Sequence, residues 1–523
     1  MTSRAVGTPT APGGGSMRTS RRGRLPRLTV VLVVVGLVTA ACGARVGPYL
    51  GAGQGVGGGS NSNASSATTT PGAAASQGAT GTATGTAGGS TAGNGGTNGG
   101  GTGTNQPIVA PPSGFNYDPA AEAAACKGTT GNTASATGIT PSSVLVGNVS
   151  GITGPLNGSF QQGQDAAVAL FDALDAAGGL CGRQVTVDKE DDGQNSTTNK
   201  NDVDDLMNKG VFAFVGSTSD ADNGGVADMA AKAIPDFGFA INCNRSQSTD
   251  YWSVDGGSCY EPGGPGTAFE IGDGTFLLAQ QQGYLPKKMA FLAYDIAISA
   301  QAAKQFRYVY THSFGGTACY EDESISPVGA SLESDVQQMQ ANGCQGVYTT
   351  LDVTGNAKLL QALQQQNVHM PYVGTTFDGY TPSQISLAGE SAAQGLLVTL
   401  PFIPLDETQT MDVMYQQQLA KYVPGATPSG FGFLSWLAGQ MFIYTMLEAG
   451  RNPTHASLLN ALNGLKGYDA GGAVGPYTPG THSVGPCVMD VVVKGNDFVR
   501  HAPASGLFCG GQPIAASDSH GNS

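Results

Sequence analysis

From residue 144 onward, short apolar runs alternate with longer segments in which apolar residues recur every three or four positions. Residues 144–149 make an apolar, β-branched run of strand length, and a glycine-rich turn follows at residues 151–158. Ser159 is then predicted to cap a helix. The helix is indicated by apolar residues at spacings i, i+3, i+4 and i+7, namely Ala167, Leu170, Phe171 and Leu174.

A second strand is predicted at residues 184–187, after Gly178 and Gly179 end the helix. A strand, a helix and a second strand in this order form a βαβ unit, and such a unit requires a parallel sheet. A polar turn follows at residues 191–193. Its two aspartates are interpreted as a solvated turn rather than a metal site, because the ligand spacing of a calcium loop is absent.

The same alternation extends over the rest of the chain. Helices are predicted at residues 202–209, 226–234, 268–282, 300–310, 332–341, 357–366, 411–422, 431–448 and 455–465. Strands are predicted at residues 211–215, 237–241, 289–294, 347–350, 372–374, 488–493 and 497–500. Gly495 and Asn496 lie between the last two strands and suit a hairpin turn. Strands that alternate with helices of about ten residues indicate an α/β fold with parallel sheets.

Two segments carry a resemblance to a known family. Residues 144–194 begin VLVGNVSGITGP and continue through AAGGLCGRQ to DDGQ, and residues 387–401 read LAGESAAQGLLVTLP. The first is similar to the opening of the branched-chain amino acid-binding family of type I periplasmic binding proteins. The second resembles that family's crossover between lobes. The likeness extends over about residues 140–510.

This resemblance implies two Rossmann-like lobes with parallel sheets, joined by three crossovers. The first lobe would comprise residues 121–265 and 402–480, and the second lobe residues 266–401 and 481–510. Residues 126–139 would form a strap on the first lobe. Residues 511–523 are expected to be a disordered tail.

Residues 1–41 have the features of an export signal. Arginines precede an apolar run at residues 28–38, and small residues lead to Cys42 in the sequence VTAAC. The apolar run is shorter than the ~20 residues of a membrane-spanning helix. A cysteine at this place resembles the bacterial lipobox, which implies a diacylated Cys42 that anchors the chain to the outer face of the cytoplasmic membrane.

Thr39 departs from the lipobox pattern, so an ordinary secretion signal is the alternative. Translation from Met1 or Met17, and export by the general or the twin-arginine route, are left open by the sequence. Residues 42–120 consist mainly of Gly, Ser, Thr, Ala and Asn. Such a segment buries too little apolar surface to offset the entropy of ordering, so we expect a flexible tether with a reach of about 45 Å.

The chain is acidic, with a net charge of −14. Residues 1–41 carry arginines and no acidic residue, so the remainder of the chain is more acidic still. Phosphate backbones repel an acidic surface, and nucleic acid is therefore not an expected partner.

Eight cysteines follow Cys42, and an even number of cysteines in an exported chain implies disulfides. Pairing between neighbours in the sequence predicts Cys126–Cys181, Cys243–Cys259, Cys319–Cys344 and Cys487–Cys509, although many other pairings are possible. Zinc binding is the alternative. It is disfavoured because no C-x-x-C motif occurs and no histidine is spaced to complete a site.

The predicted folded region lacks the common catalytic motifs, among them G-x-S-x-G, H-E-x-x-H and the phosphate-binding loop. An extracellular hydrolase is disfavoured, because no nucleophile with a partnering base can be identified. We therefore expect a protein that is not an enzyme and that uses no cofactor and no metal.

In open parallel sheets, ligands bind beyond the carboxyl ends of the strands. Polar residues follow several predicted strands at such places, and their groups can hold a small polar ligand once water is excluded. The predicted ligand contacts are Ser217, Thr218, Ser219, Asn242, Ser299, Asp352, Asp378 and Phe160. Helix capping is the alternative role for the short polar side chains among them.

The expected ligand follows from these residues. Residues 217–219 are placed at a predicted helix N-terminus, which suits an anionic group, whereas Asp352 and Asp378 suit an ammonium. Amino-acid binders of the family have a small-residue turn where this chain has Asn242-Cys243-Asn244, and commonly a tyrosine where it has Asp352. A zwitterionic or amine-bearing molecule is therefore the leading ligand class, and a polyhydroxy ligand is the alternative.

The resemblance implies a function as well as a fold. It implies an extracytoplasmic solute-binding lipoprotein, expected to be a monomer, that passes a small ligand to the permease of an ABC importer. A ligand-sensing receptor subunit for a signalling partner is the alternative, and the sequence does not separate the two.

Overall fold

The computed structural model describes residue 126 and residues 131–156, 158–255, 270–405, 410–482 and 484–515. These residues belong to one of the two units into which the chain divides, Asn98–Ser523. The predicted signal and tether at residues 1–41 and 42–120 lie outside the described residues, and so do Cys42 and Cys259.

The elements fall into two sheets with their helices. The strands are β1 (Ser143–Ser150), β2 (Gln184–Asp191), β3 (Ala213–Ser217), β4 (Asp236–Gly238), β5 (Tyr251–Ser253), β6 (Glu270–Gly272), β7 (Lys288–Tyr294), β8 (Thr317–Ile325), β9 (Gly346–Thr349), β10 (Tyr372–Thr375), β11 (Leu396–Leu400), β12 (Met489–Lys494), β13 (Asp497–Ala502) and β14 (Pro513–Ala515).

Helices lie between most of these strands. They are α1 (Gln161–Ala176), α2 (Ser196–Lys209), α3 (Val226–Ala231), α4 (Cys243–Ser246), α5 (Gly274–Gln281), α6 (Ala297–Phe314), α7 (Glu333–Ala341), α8 (Val353–Gln365), α9 (Pro382–Ala388), α10 (Glu390–Ala393), α11 (Thr410–Tyr422), α12 (Gly430–Ala449) and α13 (His455–Gly464). Short 3-10 helices occur at Phe377–Gly379, Ala470–Gly472 and Pro479–Thr481.

Sheet A has the strand order β2-β1-β3-β4-β5, and its neighbouring strands are parallel. The predicted opening βαβ unit is confirmed, since Ser143 pairs with Gln184 and Ser150 pairs with Asp191 on either side of α1. Strand β3 is buried along its whole length, as expected for an inner strand whose two faces are both covered by helices.

Two helix starts differ from the sequence prediction. Ser159 does not cap α1, because the helix begins at Gln161 and Phe160 occupies the N-cap position, without a side-chain capping bond. Ser159 belongs to the preceding turn, where its N–H donates to the Leu156 carbonyl at 3.0 Å. Helix α2 begins at Ser196, six residues earlier than predicted. Its N-cap is Asn195, whose side chain accepts hydrogen bonds from the first turn and so satisfies N–H groups that would otherwise be unpaired.

Sheet B has the strand order β13-β12-β11-β10-β9-β7-β8. The strands from β7 to β11 are parallel, whereas β12 runs antiparallel to β11 and forms the predicted hairpin with β13. Strand β8 was not predicted. Its sequence, TACYEDESI, is largely polar, because an edge strand pairs on one side only and exposes much of its surface.

The region before α5 corrects two predictions. A helix was expected at residues 268–282, but β6 pairs there with β14 in antiparallel register, and the helix starts only at Gly274. The N–H of Gln512 also donates to Asp273 Oδ1 at 2.6 Å. Residues 511–515 are therefore not part of a disordered tail, and residues 516–523 lie outside the described residues.

The chain passes repeatedly between the two sheets. The chain first crosses from sheet A to sheet B between β5 and β7. After β11 it returns to the sheet A side, where α11 and α12 pack on α1. It then enters sheet B again at β12. Helix α12 is apolar on nearly all sides, as expected for a helix enclosed by α1, α13 and strands β3 and β4. No helix in the described part of the chain is long and apolar enough to span a membrane.

Three of the four predicted disulfides are present: Cys126–Cys181, Cys319–Cys344 and Cys487–Cys509. The fourth predicted pair involves Cys259, which lies outside the described residues, although Cys243 is itself disulfide-bonded. Cys319–Cys344 ties the edge strand β8 to the segment before β9, and Cys487–Cys509 ties the segment before β12 to the segment that leads to β14.

The N-terminal segment at residues 131–139 is hydrogen-bonded to Arg183, in the turn before β2, and to the segment that precedes α13. The guanidinium of Arg183 is almost completely buried and donates to the carbonyls of Thr133, Thr140 and Arg451. Its bond to Thr140 and its bond to Arg451 are both 2.7 Å long. One arginine from the turn before β2 therefore joins segments that are far apart in the sequence.

Candidate functional site

A cavity of about 470 Å³ opens where the carboxyl ends of the two sheets face each other. Sheet A contributes residues that follow β1, β3, β4 and β5, and sheet B contributes residues that follow β7, β9, β10 and β11. The carboxyl ends of parallel strands meet at one edge of a sheet, so two facing sheets create a site whose walls come from distant parts of the chain.

Four phenylalanines form an aromatic wall of the cavity. Phe160 lies next to Phe431, with ring centroids 5.2 Å apart, and Phe431 lies 5.0 Å from Phe377. Phe377 in turn lies 4.9 Å from Phe239. The contacts are edge-to-face, which is a favoured geometry between aromatic rings. The wall joins the start of α1, the start of α12 and loops of both sheets.

Asp352 lies on the sheet B side of the cavity and caps α8. Its carboxylate accepts a hydrogen bond from the Gly355 N–H at 2.9 Å and another from the Tyr294 hydroxyl. Burial raises the pKa of Tyr294, and the neighbouring Asp352 carboxylate raises it further. Tyr294 therefore stays protonated and serves as a hydrogen-bond donor.

Asp378 lies beside Asp352 in the same wall. It accepts hydrogen bonds from the Thr376 hydroxyl and from the Gly379 N–H, the latter at 3.0 Å. Burial raises the pKa of Asp378 to about 7, and the nearby Asp352 carboxylate contributes. Both predicted acids thus line the cavity and also cap local backbone, so the ligand-binding and structural roles foreseen for them are compatible.

Ser299 also lines the cavity, but its hydroxyl both accepts a hydrogen bond from neighbouring backbone and donates one to it. Its oxygen accepts from the Tyr294 N–H at 3.0 Å, and its hydroxyl donates to the Thr350 carbonyl at 2.8 Å. The side chain therefore joins the ends of β7 and β9 and shapes the wall on the sheet B side.

The hydroxyls predicted on the sheet A side do not line the cavity. Ser217 accepts from the Val149 N–H at 3.1 Å, Thr218 lies 3.0 Å from the Ser435 hydroxyl, and Ser219 accepts from the Ala221 N–H at 3.0 Å. All three are buried. The predicted helix N-terminus at this place is also wrong, because the next helix, α3, starts only at Val226.

Asn242 is likewise outside the cavity lining. Its side-chain amide donates to the Asp220 carbonyl at 2.9 Å and to Asp222 at 2.7 Å. Of the eight predicted contacts, the cavity wall includes Phe160, Ser299, Asp352 and Asp378, and it does not include Ser217, Thr218, Ser219 and Asn242.

Asp220 also lines the cavity, although it was not among the eight predicted ligand contacts. Among the described residues its Oδ1 is buried without a hydrogen-bond partner. Burial raises the pKa of this carboxyl to about 7, and the nearby carboxylates of Asp192 and Asp222 contribute. The sequence did contain a signal for Asp220, since it directly follows the predicted residues 217–219 in the loop after β3. One residue of that loop facing the cavity is enough to form a ligand contact.

The charge of the cavity wall is one-sided. Four aspartates line it, namely Asp220, Asp255, Asp352 and Asp378, and the lining formed by the described residues contains no lysine, arginine or histidine. The rest of the lining is mostly apolar. Within the described part of the chain, no group of three or more His, Cys, Asp or Glu side chains is arranged to hold a metal ion.

Two facing sheets with a shared cavity at their strand ends define a two-lobed ligand-binding protein. Residues 143–497 match the model of the periplasmic binding protein family, and the chain belongs to that family. The predicted resemblance to branched-chain amino acid transporter components of the type I fold is thereby confirmed. Family and fold are those of extracytoplasmic solute-binding proteins, which are not enzymes.

Solved structures agree with this fold. The branched-chain amino acid transporter substrate-binding protein of Streptococcus pneumoniae, in complex with isoleucine, has 12% identity and a TM-score of 0.55 and covers 72% of this chain and 100% of its own. A leucine-binding protein of Thermotoga maritima has 14% identity and a TM-score of 0.55, with 68% and 97% covered.

A fatty acid ABC transporter substrate-binding protein of Thermomonospora curvata is similar to the same degree. It has 13% identity and a TM-score of 0.56, with 74% of this chain and 95% of that chain covered. No curated protein matches this chain in sequence. Because these structures share little sequence with the chain, they show its fold and leave its ligand to be argued from the cavity itself.

Proposed function

We propose that this chain captures a small ligand, an amino acid or a similar amine, amide or polyol, and delivers it to the permease of an ABC importer. The observation that carries the proposal is the cavity of about 470 Å³ whose walls come from both sheets. This volume lies within the range of roughly 300–1,000 Å³ that is usual for small-molecule sites. No bond is made or broken in this function.

The proposed mechanism is closure of two lobes over the ligand. In proteins of this architecture, closure around a ligand is a hinge movement at a few connecting residues. The contact of Phe377 with Phe239 and Phe431 places aromatic side chains of both sheets against one another beside the cavity. A ligand bound to both walls would favour the closed form, because only that form completes its contacts.

We also propose that Cys42 carries the lipid that keeps the chain at the outer face of the membrane. The support is the order of basic, apolar and small residues before this cysteine. Two acyl chains on one cysteine are sufficient for stable anchoring. Anchoring would keep the binding protein near its permease while the tether lets it sample its surroundings.

Ligand retention and uptake test the proposed function together. The full chain is purified without denaturation, unfolded, and the released small molecules are identified by mass spectrometry. Uptake of the identified compound is then measured in cells that lack the chain and in cells that carry it again. We expect uptake to depend on the chain; uptake that is unchanged by its loss would contradict a transport role.

A cavity-filling variant supplies a matched comparison. Ala302 lies on α6 and lines the cavity, whereas Ala297 lies on the same helix, is exposed and does not line it. Ala302→Trp should remove ligand retention and uptake, because the indole occupies the ligand's volume. Ala297→Trp should preserve both. Equal retention by the two variants would show that the ligand binds elsewhere.

A further inference from the structure

We propose that the ligand of this cavity is an organic cation: an ammonium group on an apolar body, without a carboxylate. This inference rests on the proposed function and narrows its ligand class. It departs from both ligand types named for the similar structures, isoleucine and fatty acid, because each of those molecules carries a carboxylate.

The charged groups of the described cavity wall are all acidic. The lining contains four aspartates and, within the described residues, no basic side chain. A carboxylate bound here would be desolvated beside other carboxylates with no cation to compensate it, which is strongly unfavourable. An ammonium would instead meet opposite charge on both sides of the cavity, from Asp220 after β3 and from Asp352 and Asp378 after β9 and β10.

A ligand carboxylate would need hydrogen-bond donors from the protein. The hydroxyls of Ser217, Thr218 and Ser219 would be suitable, but they are buried and bonded within sheet A and its neighbours. No long helix begins at this loop, since α3 starts at Val226 and has six residues. Residues 217–219, which the sequence suggested for an anion, therefore present no hydroxyl to the cavity.

The acidic groups are held in position and can still accept further hydrogen bonds. Asp352 and Asp378 are each held by two hydrogen bonds from neighbouring groups. A carboxylate has about four lone-pair sites, so each retains acceptor capacity. Asp220 lines the same cavity, and its Oδ1 has no hydrogen-bond partner among the described residues.

The cavity wall also presents apolar surface beside the acidic groups. Phe160, Phe239, Phe377 and Phe431 make a continuous aromatic wall. Aromatic rings bind the apolar body of a ligand and also attract cations. A compact polyol would place its hydroxyl groups against the aromatic rings. An apolar amine would instead pack its apolar body on the rings and place its ammonium beside the carboxylates.

Four probes with one apolar body test the inference by calorimetry on the full chain. They are 3-phenylpropylamine, phenylalanine, 3-phenylpropanoate and 3-phenylpropanol, which present an ammonium, a zwitterion, a carboxylate and a neutral hydroxyl. We expect the amine to bind, and the other three to bind at least about tenfold more weakly, a difference of ~1.4 kcal/mol. Equal or tighter binding of the zwitterion, the acid or the alcohol would overturn the inference, and so would absence of amine binding.

Isosteric variants locate the cation. Asp378→Asn and Asp220→Asn each remove a charge from the cavity wall, and each should weaken amine binding about thirtyfold or more. Asp469→Asn is the matched control, because Asp469 also accepts a hydrogen bond from a nearby backbone N–H, that of Gly471 at 3.0 Å, but lies outside the cavity lining. Amine binding that is unaffected by both cavity variants would overturn the assignment.

The two proposals fail in different ways. If the compound retained by the native protein is taken up but carries a carboxylate or is a polyol, the proposed function stands and the organic-cation inference falls. If the amine binds and depends on Asp378, but loss of the chain changes no uptake, the inference stands and the transport role falls.

Discussion

Replacing Arg245 by methionine should destabilise the ligand-free protein by about 3–5 kcal/mol. Arg245 lies on α4 and is 2% exposed. Its Nε and Nη2 donate to the two carboxylate oxygens of Asp236, each at 2.8 Å. Its Nη1 donates to Asp222 and to the Ser217 carbonyl, each at 3.1 Å. The guanidinium therefore connects the ends of β3 and β4.

The magnitude follows from what the substitution leaves behind. Methionine fills much of the arginine's volume but supplies no donor, so Asp236 and Asp222 become buried carboxylates without their cation. Burial already raises the pKa of Asp222 above its usual value, and Arg245 opposes that rise. Without the arginine the rise should be larger, and the protein must then either bury an unpaired charge or take up a proton.

The network also supports the cavity. Asp222 accepts from the N–H groups of Ile241 and Asn242, at 2.8 and 3.1 Å, and Ile241 lines the cavity. Loss of Arg245 should therefore loosen the loops that follow β3 and β4, where Asp220 and Phe239 also lie. We expect weaker ligand binding in addition to lower stability.

Urea unfolding of the ligand-free chain, followed by circular dichroism, measures the free energy of unfolding. Arg307→Met is the control, because Arg307 pairs with Glu321 at a partly exposed position, where such a pair contributes less than about 1 kcal/mol. A combined Arg245→Met, Asp236→Asn, Asp222→Asn variant should recover part of the loss. If Arg245→Met costs no more than Arg307→Met, the argument that this network holds the loops is refuted.

Three further predictions concern other parts of the chain. Cys42→Ser should release the protein from membranes, and fractionation checks this; a variant that stays fully membrane-bound would contradict lipid anchoring. Thiol titration of the denatured, unreduced chain with Cys42 blocked should find almost no free thiol, because seven of the eight other cysteines are already seen in disulfides; several free thiols would contradict full oxidation. Burial raises the pKa of Asp378 from 3.8 to about 7, so the native protein retains a proton that the unfolded chain releases, and stability falls as pH rises from about 4 to about 7. The stability of Asp378→Asn relative to the wild type should therefore rise as the pH increases from about 4 to about 7 and stay constant above that, measured by melting temperature. A difference that does not change between about pH 4 and about pH 7 would show that Asp378 does not titrate as stated.

Local patterns in the sequence were sufficient for much of the fold. The apolar run at residues 144–149, the helical spacing after it and the Gly495-Asn496 turn each predicted an element that the structure contains. Hydrophobic periodicity predicts these elements because the residues on the buried face of a helix or strand recur at the period of its backbone. The end of each strand then indicated which loops would border a ligand.

Only the tertiary structure decided which side chains of those loops face the ligand. Thr218 meets Ser435 from a helix 217 residues away, which turns its hydroxyl into the core, and Asp220 in the same loop lines the cavity instead. Similarly, β6 pairs with β14 near the far end of the chain, and no local pattern predicts that partner. Orientation in a loop and the pairing of short strands depend on contacts with distant residues, whereas hydrophobic periodicity records only an element's own geometry.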